Sequence, residues 1–334
     1  MHDRLHSFLA AQLPGAEDLT IRGLHRTTGG QSRENWPFDA SWSDADGAHD
    51  LPLLLRRDPI GSVLETDRRV EFGVLAALTG SDVPAPGIRW IDAEGEHLGR
   101  PAVVMDRLDG TCDHFVLSGG HLQLPEADRR RLAERYCDVM ASIHHFDWRN
   151  AGLDPAFFPV PSHPAHAAID HWSAELARQQ VEPHPELTEV ACWLREHAPE
   201  AQVVTLVHGD LKPGNSLLHQ DATGRWDVQV MLDWETAHLG DPLEDVGWVT
   251  NPLRQREHLI PGVWERADLI ARWEAATGLT ADPAAVRFWN VLANYKLATI
   301  TLTGVRSFLD GRGERVWSAS RSLARFLLRQ IDEG

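Results

Sequence analysis

The spacing of apolar and polar residues changes character after Asp109-Gly110. Before that point, short alternating or apolar stretches predict strands at residues 20–24, 36–42, 51–57, 88–91 and 102–105. Gly-Gly, Asp-Gly and Pro-containing turns separate them, as in a mostly antiparallel sheet. One helix interrupts the series: residues 62–78 place Val63, Val70, Val74, Leu75 and Leu78 at helical intervals, with Pro84 and Pro86 beyond the end. The first thirteen residues mix His, Asp and Arg with apolar positions, so they read as an amphipathic helix rather than a signal peptide.

Beyond Asp109-Gly110 the period lengthens to helical patterns at 126–145, 165–180, 186–197, 262–277, 283–304 and 312–331. Strands persist at 203–207, 216–219 and 227–232, a small strand-loop-strand unit inside helical surroundings. The pattern predicts a two-lobed α+β protein. A sheet-rich lobe spans 1–106, a helical lobe spans 107–334, and a cleft lies at their junction near 105–111.

Composition narrows the function classes. An apolar content of 43% and a charged content of 24% over 334 residues exclude a disordered or fibrous chain. Cys112, Cys137 and Cys192 are far apart and lack C-x-x-C spacing, so neither a disulfide framework nor a zinc knuckle is expected and a reducing cytoplasm fits. His163-x-x-His166 and His144-His145 lack further ligands at zinc spacing. No apolar run reaches the length of a membrane span. The formal charge of −17 opposes nucleic acid binding, and nothing in the chain points to a membrane or a protein partner. From Asn251 onward, 12 Lys and Arg face 9 Asp and Glu, about +3, which leaves 20 against 40, or −20, for the first 250 residues. That acidity serves solubility or a cationic substrate. Among 32 basic residues only Lys212 and Lys296 are lysines, so each deserves a reason for its place.

Leu206-Val207-His208-Gly209-Asp210-Leu211-Lys212-Pro213-Gly214-Asn215-Ser216 runs from a strand through a polar loop into another strand, with the spacing H-x-D-x-x-x-x-N. Phosphoryl transfer requires a group to orient a hydroxyl and take its proton, and others to hold magnesium against phosphate charge. An Asp followed five residues later by an Asn supplies one of each. A second element, Val230-Met231-Leu232-Asp233-Trp234-Glu235, ends an apolar strand in a carboxylate that either completes a magnesium site of hard oxygen donors or is a solvated strand terminus; its coupling to the first loop favours the metal site.

His208-Gly209-Asp210 with Asn215, then Leu232-Asp233-Trp234-Glu235, then Gly240-Asp241-Pro242 with Asp245, resemble the signature of aminoglycoside-phosphotransferase-like kinases over most of the chain. The resemblance implies a bilobal protein-kinase-like fold and transfer of the γ-phosphate of ATP, with Mg²⁺, to a hydroxyl of a small molecule. It implies Asp210 as the catalytic aspartate, Asn215 and Asp233 as magnesium ligands, and Asp245 as a buried brace for the catalytic loop. Lys212, two residues past Asp210, is either a contact to the transferring phosphate or a solvated loop charge. His144 reads as structural and Asp241 as a helix cap.

In the first lobe, Gly29, Gly30, Gln31 and Ser32 stand between two strands where this fold places its phosphate-covering loop; a plain hairpin turn is the alternative. The strand ending in Leu55-Arg56-Arg57 stands where the fold normally carries a lysine, and this lobe has none. Strand alternation allows only one of the two arginines into the cleft. The resemblance selects Arg56, with Glu71 as its helix partner. The segment 103–110 matches the family's interlobe hinge, where the backbone would meet adenine and Met105 would sandwich the ring or serve as core. The stretches around 29–34 and 55–59 look most like kinase domains fused to acyl-CoA dehydrogenases, which implies a hydroxyacyl-CoA acceptor beside an aminoglycoside or other polyol amine. The missing lysine leaves a nucleotide-binding pseudo-kinase as the alternative.

Overall fold

The computed structural model describes residues 1–27, 33–59, 66–312, 317 and 321–332. The candidate loop residues Gly29, Gly30, Gln31 and Ser32 lie outside the described residues. Helix α1 (His2–Gln12) precedes five strands, β1 (Glu17–Arg22), β2 (Glu34–Asp44), β3 (Gly47–Arg57), β4 (Ile88–Asp92) and β5 (Ala102–Asp106). They form one antiparallel sheet in the order β1-β2-β3-β5-β4. β2 and β3 run further than alternation predicts, through polar residues to the pair Asp44 and Gly47, because ladder pairing carries a hairpin beyond its buried part.

The two faces of the sheet bury different things. Phe38, Ala40, Leu53, Leu55 and Val104 pack against Leu5, Phe8 and Leu9 of α1. Val103 and Met105 join a second core shared with Val74, Leu75 and Leu78 of α2 (Arg68–Leu78) and with the helical lobe. Arg56 therefore lies on the face toward α2 and Arg57 on the face toward α1. Met105 is 2% exposed and belongs to this core. The helix expected from residue 62 begins at Arg68, since Asp67 accepts the backbone N–H of Arg69 at 2.8 Å and caps it.

The second lobe is mostly helical, with α3 (Glu126–His145), α4 (Pro164–Gln179) and α5 (Pro185–Glu196) followed by β6 (Thr205–Val207), β7 (Ser216–Gln220) and β8 (Trp226–Met231). Next come β9 (His238–Gly240), α6 (Leu243–Val249), α7 (Gln255–His258), α8 (Arg266–Thr277), α9 (Pro283–Leu309) and α10 (Arg321–Asp332). Three predicted boundaries move. α8 starts at Arg266 rather than 262, because Ile260 and Trp264 exchange backbone hydrogen bonds and Glu265 with Asp268 forms a capping box. α9 continues past Gly304, whose hydrogen faces the Trp317 ring where a Cβ would lie 2.4 Å away; that glycine serves packing and does not stop the helix. Arg312 is not helical, and the described part of the last helix begins at Arg321. No helix among the described residues is long and apolar enough to cross a membrane.

Candidate active site

The buried strand β6 delivers the chain into His208-Gly209-Asp210. Gly209 has φ of +80°, and a Cβ there would lie 2.9 Å from the carbonyl oxygen of Thr236, so both backbone and space require glycine. The turn is held from beneath by Asp245, fully buried on the first turn of α6, which accepts the backbone N–H groups of His208 and Gly209 at 2.9 Å each. His144 completes that carboxylate at 3.3 Å, and its other ring nitrogen accepts the Trp273 indole N–H at 2.9 Å. His144 is therefore the Nε2-protonated tautomer.

His208 is fixed the same way. Its Nδ1 accepts the Asp210 N–H at 3.2 Å, and Nε2 donates to the Leu232 carbonyl at 3.0 Å. Burial lowers its pKa, in keeping with a neutral ring that links the 208–215 loop to the strand before Asp233.

Burial pushes the Asp245 pKa up, but His144 and the backbone donors more than offset this and hold it below the ordinary 3.8. A carboxyl lowered in the folded state contributes stability above the unfolded pKa, and that contribution disappears as pH falls through the folded value. Asp245→Ala should cost about 3–5 kcal/mol in urea unfolding at pH 7, because it strands buried donors. The gap to wild type should narrow as pH drops below about 4. A constant gap across that range would show that the carboxylate charge is not what holds the loop.

Asp210 Oδ2 accepts from the Lys212 ammonium at 2.6 Å and from the Asn215 amide at 2.9 Å. The Asn215 amide also meets the Asp210 carbonyl at 3.0 Å, which leaves its own side-chain oxygen as the free end. The Asn215 backbone carbonyl accepts the Leu232 N–H at 2.7 Å, so Asn215 and Asp233 are laced together across their two loops. Asp233 stands at φ 62° and ψ 51°, a left-handed conformation unusual for a residue other than glycine.

Arg56 reaches from β3 between the lobes. It donates to Glu71 of α2 and, at 2.6 Å, to Asp233. Burial works against its charge, but Glu71, Asp233 and Glu235 outweigh that and raise its pKa. Burial also opposes ionisation of Asp233, and the Arg56, Lys212 and Arg33 cations overcome it, so Asp233 stays a carboxylate. Arg57, on the other face, donates to Glu34 at 2.6 and 3.0 Å and to the Leu98 carbonyl at 3.1 Å.

Around Arg56 lies a cluster that sequence reasoning left without roles. Arg33 donates to Glu235 at 2.5 Å, and Arg68, 1% exposed, reaches Glu71, Glu235 at 3.3 Å and Asp58 at 3.0 Å. Glu235 sits in the quoted motif, but an arginine at the start of a helix carries no spacing signal of its own. Asp241 accepts the Leu243 N–H at 2.9 Å beside α6, and burial pushes its pKa up to about 6.

Among the described residues no group of three or more His, Cys, Asp or Glu could hold a metal alone. A hard cation that shares its shell with phosphate oxygens needs only one or two protein oxygens, and the Asp233 carboxylate and the Asn215 amide oxygen fit that chemistry.

The model of a phosphotransferase enzyme family matches residues 29–289. Acyl-CoA dehydrogenase family member 10 of Mus musculus is 27% identical over 202 residues, covering 60% of this chain and 18% of that protein. Acyl-CoA dehydrogenase family member 11 of Rattus norvegicus is 24% identical over 324 residues, 92% of this chain and 39% of that protein. The chain thus spans well under half the length of these curated relatives. A crystal structure of a candidate aminoglycoside phosphotransferase from Ralstonia eutropha superposes with a TM-score of 0.72 at 21% identity, over 99% of this chain and 98% of that one. Such a likeness shows the shared bilobal kinase-like fold.

Proposed function

Because the chain belongs to the phosphotransferase enzyme family, we propose that it is an ATP- and magnesium-dependent kinase that phosphorylates a hydroxyl of a small molecule. The reading rests on one convergence. Asp210 and Asn215 from the loop after β6, Asp233 from the end of β8, and Arg56 with Glu71 from the sheet lobe meet within one hydrogen-bonded network.

In this reading Asp210 orients the acceptor hydroxyl and takes its proton as the oxygen bonds to the γ-phosphorus and ADP leaves. Lys212 holds Asp210 in the resting structure, and in the reaction its ammonium would meet the transferred phosphoryl group. Asp233 and Asn215 would hold Mg²⁺, which neutralises phosphate charge when bound. Arg56, paired with Glu71 and Asp233, would turn one arm of its fork to the nucleotide phosphates, and the backbone of the 103–110 hinge would meet the adenine, with Met105 in the core. To Gly29, Gly30, Gln31 and Ser32, outside the described residues, the proposal assigns the role of covering the phosphates.

The names of the curated relatives support a hydroxyacyl-CoA as acceptor, and the Ralstonia eutropha structure supports an aminoglycoside or another polyol amine. Magnesium-dependent ATP turnover against hydroxyacyl-CoAs, amino sugars and polyols decides between them. The pseudo-kinase alternative drew on the missing lysine, and Arg56 stands between Glu71 and Asp233 in its stead. Mg-ATP binding without turnover on any member of the panel would revive it.

Asp233→Ala is the sharper test of the metal role. Mg-ATP binding by calorimetry should become undetectable while circular dichroism stays near wild type, since Arg56 keeps Glu71 as a partner. Unchanged affinity would reduce Asp233 to a strand terminus.

A further inference from the structure

We infer that Lys296, on α9, is a positioning residue that sets the orientation of the peptide immediately before Asp210. This rests on Asp210 being the catalytic aspartate. Lys296 is 5% exposed, and its ammonium donates to the Gly209 carbonyl at 2.5 Å across a sequence separation of 87. Its Nζ lies 5.1 Å from the ring centre of Trp172 and 4.7 Å from that of Trp248.

Burying an ammonium is costly, so its retention needs partners that only a charged donor satisfies. Here one carbonyl and two indole faces supply them, with Glu244, Asp210 and Asp245 as the negative charges that act on it and Arg254 as an opposing positive one. Burial lowers its pKa, and those three carboxylates work against that. The Gly209–Asp210 peptide is thereby gripped at both ends: its carbonyl by Lys296 and its N–H by the ring of His208 at 3.2 Å. Neither grip alone fixes the rotation of a peptide plane that follows a glycine at φ +80°.

The amino-acid choice supports the role. The chain uses arginine for all but two of its 32 basic residues, and both lysines converge on this loop. Lys212 meets the Asp210 carboxylate and Lys296 the carbonyl one residue earlier. A compact ammonium fits end-on between two indole faces and a single carbonyl, whereas a planar guanidinium presents a fork that this site cannot fill.

Two readouts test this: Mg-ATP affinity by calorimetry, and turnover with the best acceptor from the panel or, failing one, hydrolysis of Mg-ATP with water as acceptor. Lys296→Met should keep the fold by circular dichroism and leave Mg-ATP affinity within about twofold, while kcat falls roughly ten- to a hundredfold, as for one lost charge-assisted hydrogen bond. In an Asp210→Asn background the same substitution should cost almost nothing further, because it acts through the missing carboxylate. If Lys296→Met does not fold, Lys296→Arg takes its place, with kcat again lowered and affinity again kept. A folded variant with normal kcat, equal losses in kcat and affinity, or a full additional loss in the Asp210→Asn background would each overturn the inference. Failure of the underlying assignment is separately visible, since Asp210→Asn alone would then retain turnover.

Discussion

Asp210→Asn should bind Mg-ATP nearly as tightly as wild type and turn over roughly 10²- to 10⁴-fold more slowly, the usual range for loss of a general base. The substitution keeps the shape of the side chain and removes only its charge and basicity. The Asp210 carboxylate accepts from Lys212 and from the Asn215 amide, and in the variant Asn215 keeps its second hydrogen bond, to the Asp210 carbonyl, at 3.0 Å. The loop beneath it stays fixed by Asp245 and by the ring of His208. The loss should thus fall on kcat and spare nucleotide affinity, which steady-state kinetics with calorimetry separates. A kcat close to wild type would remove Asp210 from the chemistry.

Arg56→Ala should have two effects measured in different experiments. Mg-ATP affinity should weaken roughly ten- to a hundredfold, as expected for one charge-assisted contact to phosphate. The fold should also lose about 3 kcal/mol in chemical denaturation, the low end of the range for breaking a buried ion pair. The low end applies because Arg68 remains on Glu71 after Arg56 is gone, so only Asp233 loses its paired arginine. Arg57→Ala is the matched control. Its guanidinium lies on the opposite face against Glu34, which Arg100 still holds at 2.9 Å, and nucleotide affinity should hardly change. Arg56→Lys keeps the charge but not the fork, and one ammonium cannot reproduce the paired contacts to Glu71 and Asp233. It should fall between wild type and Arg56→Ala in both experiments. If Arg57→Ala proves the damaging variant, the nucleotide meets the other face of β3.

Much of the candidate site was legible from spacing and from the family resemblance that the spacing carries. His208, Asp210, Asn215 and Asp233 lie within 26 residues of chain, on a loop and a strand end whose local sequence already constrains them. The five-stranded sheet and the long helices were legible for a related reason, since a buried face imposes a period of two or of about 3.6 on the residues that line it. Where burial is complete the period vanishes: all seven residues of α6 are buried, and neither it nor β9 left a pattern to read. Gly304 carried the same letter as a helix stop and is instead a packing contact beneath Trp317, a distinction that only a neighbour in space can make.

The rest of the site is assembled by long-range pairing. Arg56 and Asp233 are 177 residues apart, Arg33 and Glu235 are 202 apart, and Lys296 reaches Gly209 from a helix with no motif of its own. The composition flagged Lys296 as rare without saying what it touches. Alternation along β3 limited the cleft to one of Arg56 and Arg57, and the packing of α1 and α2 on opposite faces of the sheet decided which arginine meets Asp233. The sequence determined which residues could carry the chemistry, because catalytic loops and strand ends are local. Tertiary structure alone decided their charge partners, because an ion pair is set by distance in space and burial, and neither is written in the spacing along the chain.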